Sequence, residues 1–290
     1  MAIHYEYLSE KDAPDLFRTF VEAFSDYAVD LSYMSEKNFF NRSIKNGIDF
    51  ETSVGVFDKD KMVGYTLIGV DDWKNDLSAY DIGTGIIKLY RGQGIAKEMF
   101  DFAVPKLKEK GVGKFVLEVL QDNGAAIKAY KKSGFQITRE FDCFELSFEN
   151  SKFARRVGLK IEILPVNRDE LQNFEESLDW LPSWENSFAS IRRIPDEVIL
   201  LGARYKGAHI GLLVYYPALN WIMTLLVKPS YRRKGIATAL LRHHLPRIQS
   251  RTSSVKIINV EHSDARLIDF LKHRGFVTYV NQYEMELVLS

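Results

Sequence analysis

Six residues in this chain have the types and spacing of an anion grip. Arg91-Gly92-Gln93-Gly94-Ile95-Ala96 places two glycines beside an arginine, and the phrase returns 141 residues later as Arg232-Arg233-Lys234-Gly235-Ile236-Ala237. Glycines in a strand-to-helix turn let a ligand approach the backbone closely. The first helical turn then offers N–H groups without intrahelical partners, at the positive end of the helix dipole. Phosphate is the usual guest of such a turn. Arg91 adds charge at its rim. The phrase does not fit G-x-x-x-x-G-K-[ST], and it lacks the third glycine of a dinucleotide fingerprint. Three more matches keep the same distance: Gly134-Phe135 with Gly275-Phe276, Tyr90 with Tyr231, and Pro105 with Pro246. An unchanged offset means two gapless copies of one unit.

The elements that must position these loops follow from periodicity. In the first copy, strands are expected at 5–8, 53–57, 62–70, 80–87, 114–120, 135–139 and 141–148. Helices are expected at 15–28, 35–46, 94–108 and 125–133, the second capped by Ser35 and stopped at Gly47. In the second copy, strands are expected at 159–164, 198–205, 209–216, 221–227, 255–260 and 276–289. Helices are expected from 168 to 178, at 235–248 and at 264–274. Gly64 matches Gly211 at a longer offset, so the first copy carries six extra residues, read as a loop at 71–76. A polar stretch at 149–156 divides the chain into domains 1–149 and 157–290.

Composition narrows the function classes. Lys+Arg and Asp+Glu each total 39, so zero net charge gives no case for a nucleic-acid or anionic-membrane partner. Cys143 is the single cysteine, which excludes an intrachain disulfide and a multi-cysteine metal site. It reads as a buried structural thiol in a strand, in a reducing, cytoplasmic setting. Residues 210–227 carry no charge, but Pro217 and Asn220 mark a turn between two buried strands rather than a membrane span. The N-terminus has no signal-peptide pattern. His243, His244, His262 and His273 lack metal-ligand spacing and read as solvated or satisfied, so no metal is expected.

After the glycine loop comes a strand, then Asn123-x-x-Ala126-x-x-x-Tyr130-x-x-x-Gly134-Phe135. With these motifs in place, the chain resembles the GNAT superfamily of acyl-CoA-dependent N-acyltransferases, twice over and across nearly its whole length. The resemblance implies an α/β (α+β) fold. Each of two tandem domains would hold a mixed, mostly antiparallel sheet with a central splay, flanked by helices. It implies acetyl-CoA as acyl donor, its pyrophosphate on the backbone amides of Arg91, Gly92, Gln93, Gly94, Ile95 and Ala96. The strand at 81–87 would splay from that at 114–120, with the pantetheine arm in the gap. Asn123 and Tyr130 would face the thioester. Tyr130 would be the general acid, since a phenol of pKa about 10 keeps its proton at neutral pH. The N–H of Ile86 or Ile87 would polarise the thioester carbonyl. Glu118 and Asp81, on strands near the splay, are the candidate bases, and Asp81 also lies close enough to bind the acceptor. A water chain could do the same work. Asp26, Tyr27 and Tyr33 would line the entrance for a small-molecule or peptide amine, with Asp26 pairing an amine cation.

The copies diverge in opposite directions. The second keeps the family phrase V-x-P-x-x-R as Val227-Lys228-Pro229-Ser230-Tyr231-Arg232, where the first has Ile86-Ile87-Lys88-Leu89-Tyr90-Arg91. The first keeps Asn123 and Tyr130, where the second has Asp264 and Leu271. Leu271 has no proton to donate, so catalysis is expected in the first copy. In the second, Arg232, Arg233, Lys234, Gly235, Ile236 and Ala237 either grip a CoA phosphate or form a solvated loop. Trp180 and Trp184 either cover a pocket or pack the helical region. The expectation is an acetyl-CoA-dependent N-acetyltransferase. The alternative is a non-catalytic acyl-CoA-binding or sensing protein.

Overall fold

A computed structural model describes residues 3–26, 31, 34–152 and 158–289. The first half runs β1 (Ile3–Tyr7), α1 (Ala13–Ala23), α2 (Glu36–Lys45), β2 (Val54–Asp58), β3 (Lys61–Trp73), β4 (Asp76–Ile86), α3 (Ile95–Glu109), β5 (Lys114–Leu120), α4 (Gly124–Lys132) and β6 (Gln136–Ser147). The second runs β7 (Glu162–Pro165), α5 (Gln172–Glu175), α6 (Phe188–Arg193), β8 (Ile199–Tyr205), β9 (Ala208–Tyr216), β10 (Trp221–Val227), α7 (Ile236–Ile248), β11 (Ser254–Glu261), α8 (Ala265–His273) and β12 (Val277–Val288).

Packing divides the chain inside β6 and inside β12. One unit is Met1–Arg139 with Tyr283–Ser290, and the other is Glu140–Gln282. The sequence repeat divides it instead at the polar stretch 149–156. The two divisions differ because the end of the chain completes the first unit, while residues 140–147 of β6 belong to the second.

In the first unit β1 to β4 pair antiparallel in chain order, and β5 lies parallel to β4. The C-terminal part of β12 follows β5. Ile95, Met99, Phe100, Ala103 and Leu107 form one stripe of α3, at helical spacing. They pack on Ala79, Phe115, Leu117, Phe135 and Met285. Glu284 in the C-terminal strand has no exposed side-chain surface and pairs with Arg139 at 2.5 Å and Lys74 at 3.1 Å.

Three expectations change here. The residues expected as a loop at 71–76 extend a hairpin: Trp73 pairs with Asp76, and Lys74 and Asn75 form the turn at φ 53° and 65°. Two left-handed residues match the twist of paired strands. The helix expected at 15–28 ends at Ala23. The two strands expected after Gly134 are one, β6, because Glu140 continues the extended run.

In the second unit β7 to β10 are antiparallel, β11 is parallel to β10, and residues 141–147 of β6 pair antiparallel with β11. Its core sets Leu240, Leu241 and Leu245 of α7 on Leu213, Ile222 and Ile257. The uncharged run 210–227 folds as the greater part of β9, a turn with Asn220 at φ 55°, and β10. No described helix is long and apolar enough to cross a membrane. Cys143 is fully buried.

Candidate active site

The loop after β4 turns through Lys88–Tyr90 into a left-handed Gly92 (φ 78°) and Gly94 (φ 88°), the N-cap of α3. A Cβ on Gly92 would meet nothing within 4 Å, and one on Gly94 only Glu98 Oε1 at 3.9 Å. The first-turn amides of α3 therefore border an open cradle, as a pyrophosphate requires.

Arg91 does not reach into that cradle. Its Nε donates to the Ile86 carbonyl at 3.0 Å and Nη2 to the Ala23 carbonyl at 2.6 Å. Its fork closes on both carboxylate oxygens of Asp26, at 3.0 and 2.8 Å. The Arg91 hydrogen bonds hold the Asp26 carboxyl below its ordinary range. Arg91 is thus a brace between loop and α1, and Asp26 is engaged by arginine rather than open to an amine. Tyr27 and Tyr33 lie outside the described residues.

The second unit repeats this brace. Arg232 donates to the Val227 carbonyl at 3.0 Å and forks onto Asp179 at 2.6 and 2.6 Å. Gly235 is left-handed at φ 86°, and Arg233 holds φ 63° where Gly92 stands in the first unit. Lys234 Nζ donates to the Ser230 carbonyl at 2.9 Å, as Gln93 Nε2 does to the Leu89 carbonyl at 3.3 Å. Ile236 and Ala237 open α7. Sequence reasoning missed Asp179, because the constant offset of the repeat does not hold through the helical regions.

The gap between β4 and β5 is the second component. These strands pair only from Ser78↔Lys114 to Tyr80↔Val116. Beside the point of parting, the register with β3 skips Ile82, pairing Leu67 with Gly83 and Ile68 with Asp81. Such a bulge re-aims side chains next to a site. Asp81 is 7% exposed, and its carboxylate accepts from Thr84 Oγ1 at 3.0 and 2.9 Å. The Tyr130 hydroxyl donates to Asp81 Oδ2 at 3.4 Å. Burial pushes the Asp81 carboxyl up to about 6, against the pull of hydrogen bonds from Thr84, Tyr130 and the Gly83 amide and of the Arg42 charge. Tyr130 is held by the rings of Phe100 and Phe135, each 5.8 Å away.

The constant offset puts Ile222 in Asp81's place and Leu271 in Tyr130's. Both are fully buried members of the second unit's apolar core. Two contacting polar groups in one unit are two aliphatic side chains in the other.

The remaining candidates sort differently from their sequence reading. Glu118 lies on β5 beyond its last pairing with β4. Phe115, Leu117 and Val119 pack in the core with α3, so alternation sets Glu118 on the opposite face from Tyr130. Asn123 is the N-cap of α4, its Oδ1 accepting from the Ala126 amide at 3.1 Å. Asp264 caps α8 in the same way, through the Leu267 amide at 3.1 Å. The Ile87 N–H donates to the Val63 carbonyl at 3.0 Å, so it is not the donor for a thioester. Strand alternation turns the Ile86 N–H the other way, toward the gap.

The second unit holds a cleft of about 400 Å³ where β10 and β11 part, bordered by Trp180, Leu181, Met223 and Ile258. Trp184, by contrast, is buried in the core. Asn186 also lines this cleft, 6% exposed. Its Nδ2 donates to the Ile258 carbonyl at 2.9 Å, and its buried Oδ1 has no partner among the described residues. His244 is neither solvated nor satisfied: it is 1% exposed, packs 4.5 Å from the Tyr215 ring, and its Nε2 lacks a partner among the described residues. Burial pushes it down to about 4.

The model of the acetyltransferase (GNAT) family matches residues 13–135 and again 165–276. The chain belongs to this family. It is similar to N-alpha-acetyltransferase 30 of Schizosaccharomyces pombe (strain 972 / ATCC 24843), 34% identical over 86 residues that cover 29% of the chain and 57% of that protein. It is also similar to streptothricin acetyltransferase of Streptomyces lavendulae, 31% identical over 30% of the chain and 45% of the relative. The matched stretches thus span about half of each relative's length. Among solved structures, a tandem GNAT protein from the clavulanic acid biosynthesis pathway superposes with TM-score 0.77, at 12% identity over 99% of both chains. A GCN5-related N-acetyltransferase from Sphaerobacter thermophilus gives 0.72 at 16% identity, over 99% of this chain and 96% of that one. At these identities the structural likeness is one of fold.

Proposed function

We propose that the first unit transfers the acetyl group of acetyl-CoA to an amine by direct attack. The observation that carries this reading is the Asp81–Tyr130 contact at the strand gap, present in the first unit and aliphatic in the second. The open cradle at Gly92 and Gly94 fits a pyrophosphate, with amides from Gly92 to Ala96 as donors and Arg91 holding the loop to α1. The Ile86 N–H polarises the thioester carbonyl. Tyr130 protonates the departing thiolate. Glu118 or Asp81 receives the amine proton. The acceptor enters on the α1–α2 side, where Tyr27 and Tyr33 lie in sequence. A small-molecule or peptide amine suits this chemistry, and the relatives named for N-alpha-acetylation and for streptothricin support that class. The single buried thiol suits work in the cytoplasm.

The test is acetyl transfer to a panel of amines. Tyr130→Phe should lower turnover about 100-fold, the scale of one general acid. Gly94→Glu should abolish donor binding by the first unit, because it sets a carboxylate at the cradle and a side chain at φ 88°. Unchanged activity in both variants would refute the assignment.

For the second unit, a distinct observation favours binding without turnover. Its cleft borders the unpartnered Asn186 Oδ1, which an amide N–H of an acyl-CoA would satisfy, and its loop keeps Arg233 in a left-handed conformation. Calorimetric titration of acetyl-CoA should then find two sites, one removed by Gly94→Glu and the other by Gly235→Glu. A single site, lost only in Gly94→Glu, would leave the second unit a support.

A further inference from the structure

We propose that the second unit binds single-stranded nucleic acid along α7 and the loop before it, a role independent of acetyl transfer. The zero net charge of the chain is a balance of unlike halves. The unit made of residues 1–139 and 283–290 carries 23 Asp and Glu against 19 Lys and Arg, whereas residues 140–282 carry 16 against 20. Between Glu197 and Glu261 there is no acidic residue at all, while 10 lysines and arginines fall in that stretch. A surface of one sign attracts partners of the other, and a balanced total hides it.

The two copies of the helix differ in a directed way. At the offset of 141, Glu98, Asp101 and Glu109 in α3 give way to Ala239, Arg242 and Ser250, while Lys106 and Lys110 remain cationic as Arg247 and Arg251. In the first unit these cations are answered: Lys106 meets Glu109 at 3.2 Å and Lys110 meets Asp49 at 2.5 Å. In the second, Lys206, Arg233, Lys234, Arg247 and Arg251 are all exposed. Among the described residues, no carboxylate lies within salt-bridge distance of any of them. A merely solvated face carries both signs interspersed, as α3 does. Arg233 adds strain to the pattern. It holds φ 63° where the first unit has Gly92, a conformation that disfavours a side chain. A phosphate contact by its guanidinium would offset that strain.

Aromatic rings stand among these cations. Tyr231 lies edge-on to Tyr205 at 6.2 Å, with Lys234 Nζ 5.1 Å over the first ring and Lys206 Nζ 5.4 Å over the second. In the first unit the matching place is acidic. Asp58 and Tyr205 both close a strand before a two-residue turn, and there the Tyr90 hydroxyl donates to Asp58 Oδ2 at 3.0 Å. Single strands are held by a cationic track that follows their backbone and by rings that take their bases. The track here is long. From Ile236 to Ile248 α7 spans about 20 Å at 1.5 Å per residue, so Arg247 and Arg251 lie beyond a diphosphate seated at Gly235. An anionic bilayer fits less well, because among the described residues α7 and its loop have no exposed large apolar side chain to enter it.

The test is fluorescence anisotropy of the full chain with a labelled oligo(dT) of about 20 nucleotides, between about 50 and 200 mM salt. Roughly five phosphate contacts give a log–log salt slope near −3.5, so affinity should fall about 100-fold over that range. Arg247→Glu with Arg251→Glu should weaken binding by about 10-fold or more and reduce the slope by about 1.4. Lys106→Glu with Lys108→Glu makes the same change of net charge on α3 and should alter affinity by less than about twofold. Melting temperatures show that both reversals fold. An abasic strand of equal length should bind about 10-fold more weakly, for want of bases to stack. No binding at the lowest salt, equal losses in the two reversals, or an abasic strand bound as well as oligo(dT) would overturn the proposal. Complete displacement by millimolar acetyl-CoA, with no effect of the Arg247 and Arg251 reversal, would overturn it in favour of a CoA site alone. Binding to phosphatidylserine vesicles but not to oligo(dT) would overturn it in favour of a membrane. Each of these outcomes leaves the acetyl-transfer reading as it stands.

Discussion

Replacing Glu284 by Gln should destabilise the first unit selectively, because this carboxylate is a buried anion between two cations. Its side chain has no exposure, Arg139 is 10% exposed and Lys74 25%. Arg139 donates from Nε at 2.9 Å and from Nη2 at 2.5 Å, a two-pronged contact on one carboxylate. Burial would raise the Glu284 carboxyl, but Arg139 and Lys74 bring it below its ordinary range. Removing one partner of a buried pair costs about 3–5 kcal/mol, because the other charge stays buried. Lys74 keeps Glu286 at 2.5 Å and more water, so most of the loss falls on Arg139. The lower end, about 3 kcal/mol, is expected, a large part of the total stability of a typical domain. The carboxyl is depressed in the fold, so its contribution is complete above the ordinary glutamate range and disappears as pH falls through the folded value. Urea unfolding with amide hydrogen exchange would read this: β3 and β5 should lose protection in the variant, and its stability should lack the acid limb. Arg139→Met with Glu284→Met should recover most of the loss, since a buried pair is often replaceable by apolar groups. A loss below about 0.5 kcal/mol in Glu284→Gln would mean an exposed ion pair and a C-terminal strand that does not complete this unit.

Other perturbations test other parts. His244 falls from 6.5 to about 4 in the fold, so stability should fall as pH drops from 6.5 toward 4, by up to about 3 kcal/mol, and His244→Leu should flatten that limb in pH-dependent melts. Asn123→Ala should cost about 1 kcal/mol of stability through its cap, while Asn123→Asp should keep both stability and kcat; a kcat loss in the Asp variant would return Asn123 to the chemistry. Arg233→Gly should raise stability by about 1 kcal/mol by relieving a left-handed side chain, and should weaken CoA binding if the second loop holds a phosphate.

Much of this architecture was legible because strand, glycine turn and helix are rigidly coupled, so a constant offset in sequence became a constant offset in space. The left-handed turns, the residues skipped in register at Ile82 of β4 and Met223 of β10, and the bracing arginines Arg91 and Arg232 all keep it. It failed where the chain is less constrained. Asp26 and Asp179 serve the same brace from regions whose lengths differ between the copies, so periodicity could not pair them. The residues at 71–76 were expected as a loop because only the change in offset located them, and an offset does not say whether added residues leave the sheet or, as here, lengthen two paired strands around a two-residue turn.

The differences between the copies re-sort once contacts replace single positions. Lys88 looked like a defect beside Pro229, yet both open the same short turn, Lys88–Tyr90 and Pro229–Tyr231, where proline's missing N–H leaves nothing unsatisfied. Asn123 and Asp264 looked like a lost catalytic residue, yet both side chains cap a helix through an amide at 3.1 Å. These substitutions preserve a function of the backbone. Tyr130 to Leu271 is different in kind. Alone it could be a core adjustment, since a buried phenol and a buried leucine both fill space. Its contact Asp81 changes with it, to Ile222, although 49 residues separate Asp81 from Tyr130. A buried carboxylate needs its partners, and a buried aliphatic pair needs none. The two units therefore differ by a coupled exchange of a polar pair for an apolar one at the same strand gap. In the proposed acetyl transfer, that exchange, rather than the glycine loop they share, is what assigns the chemistry to the first unit.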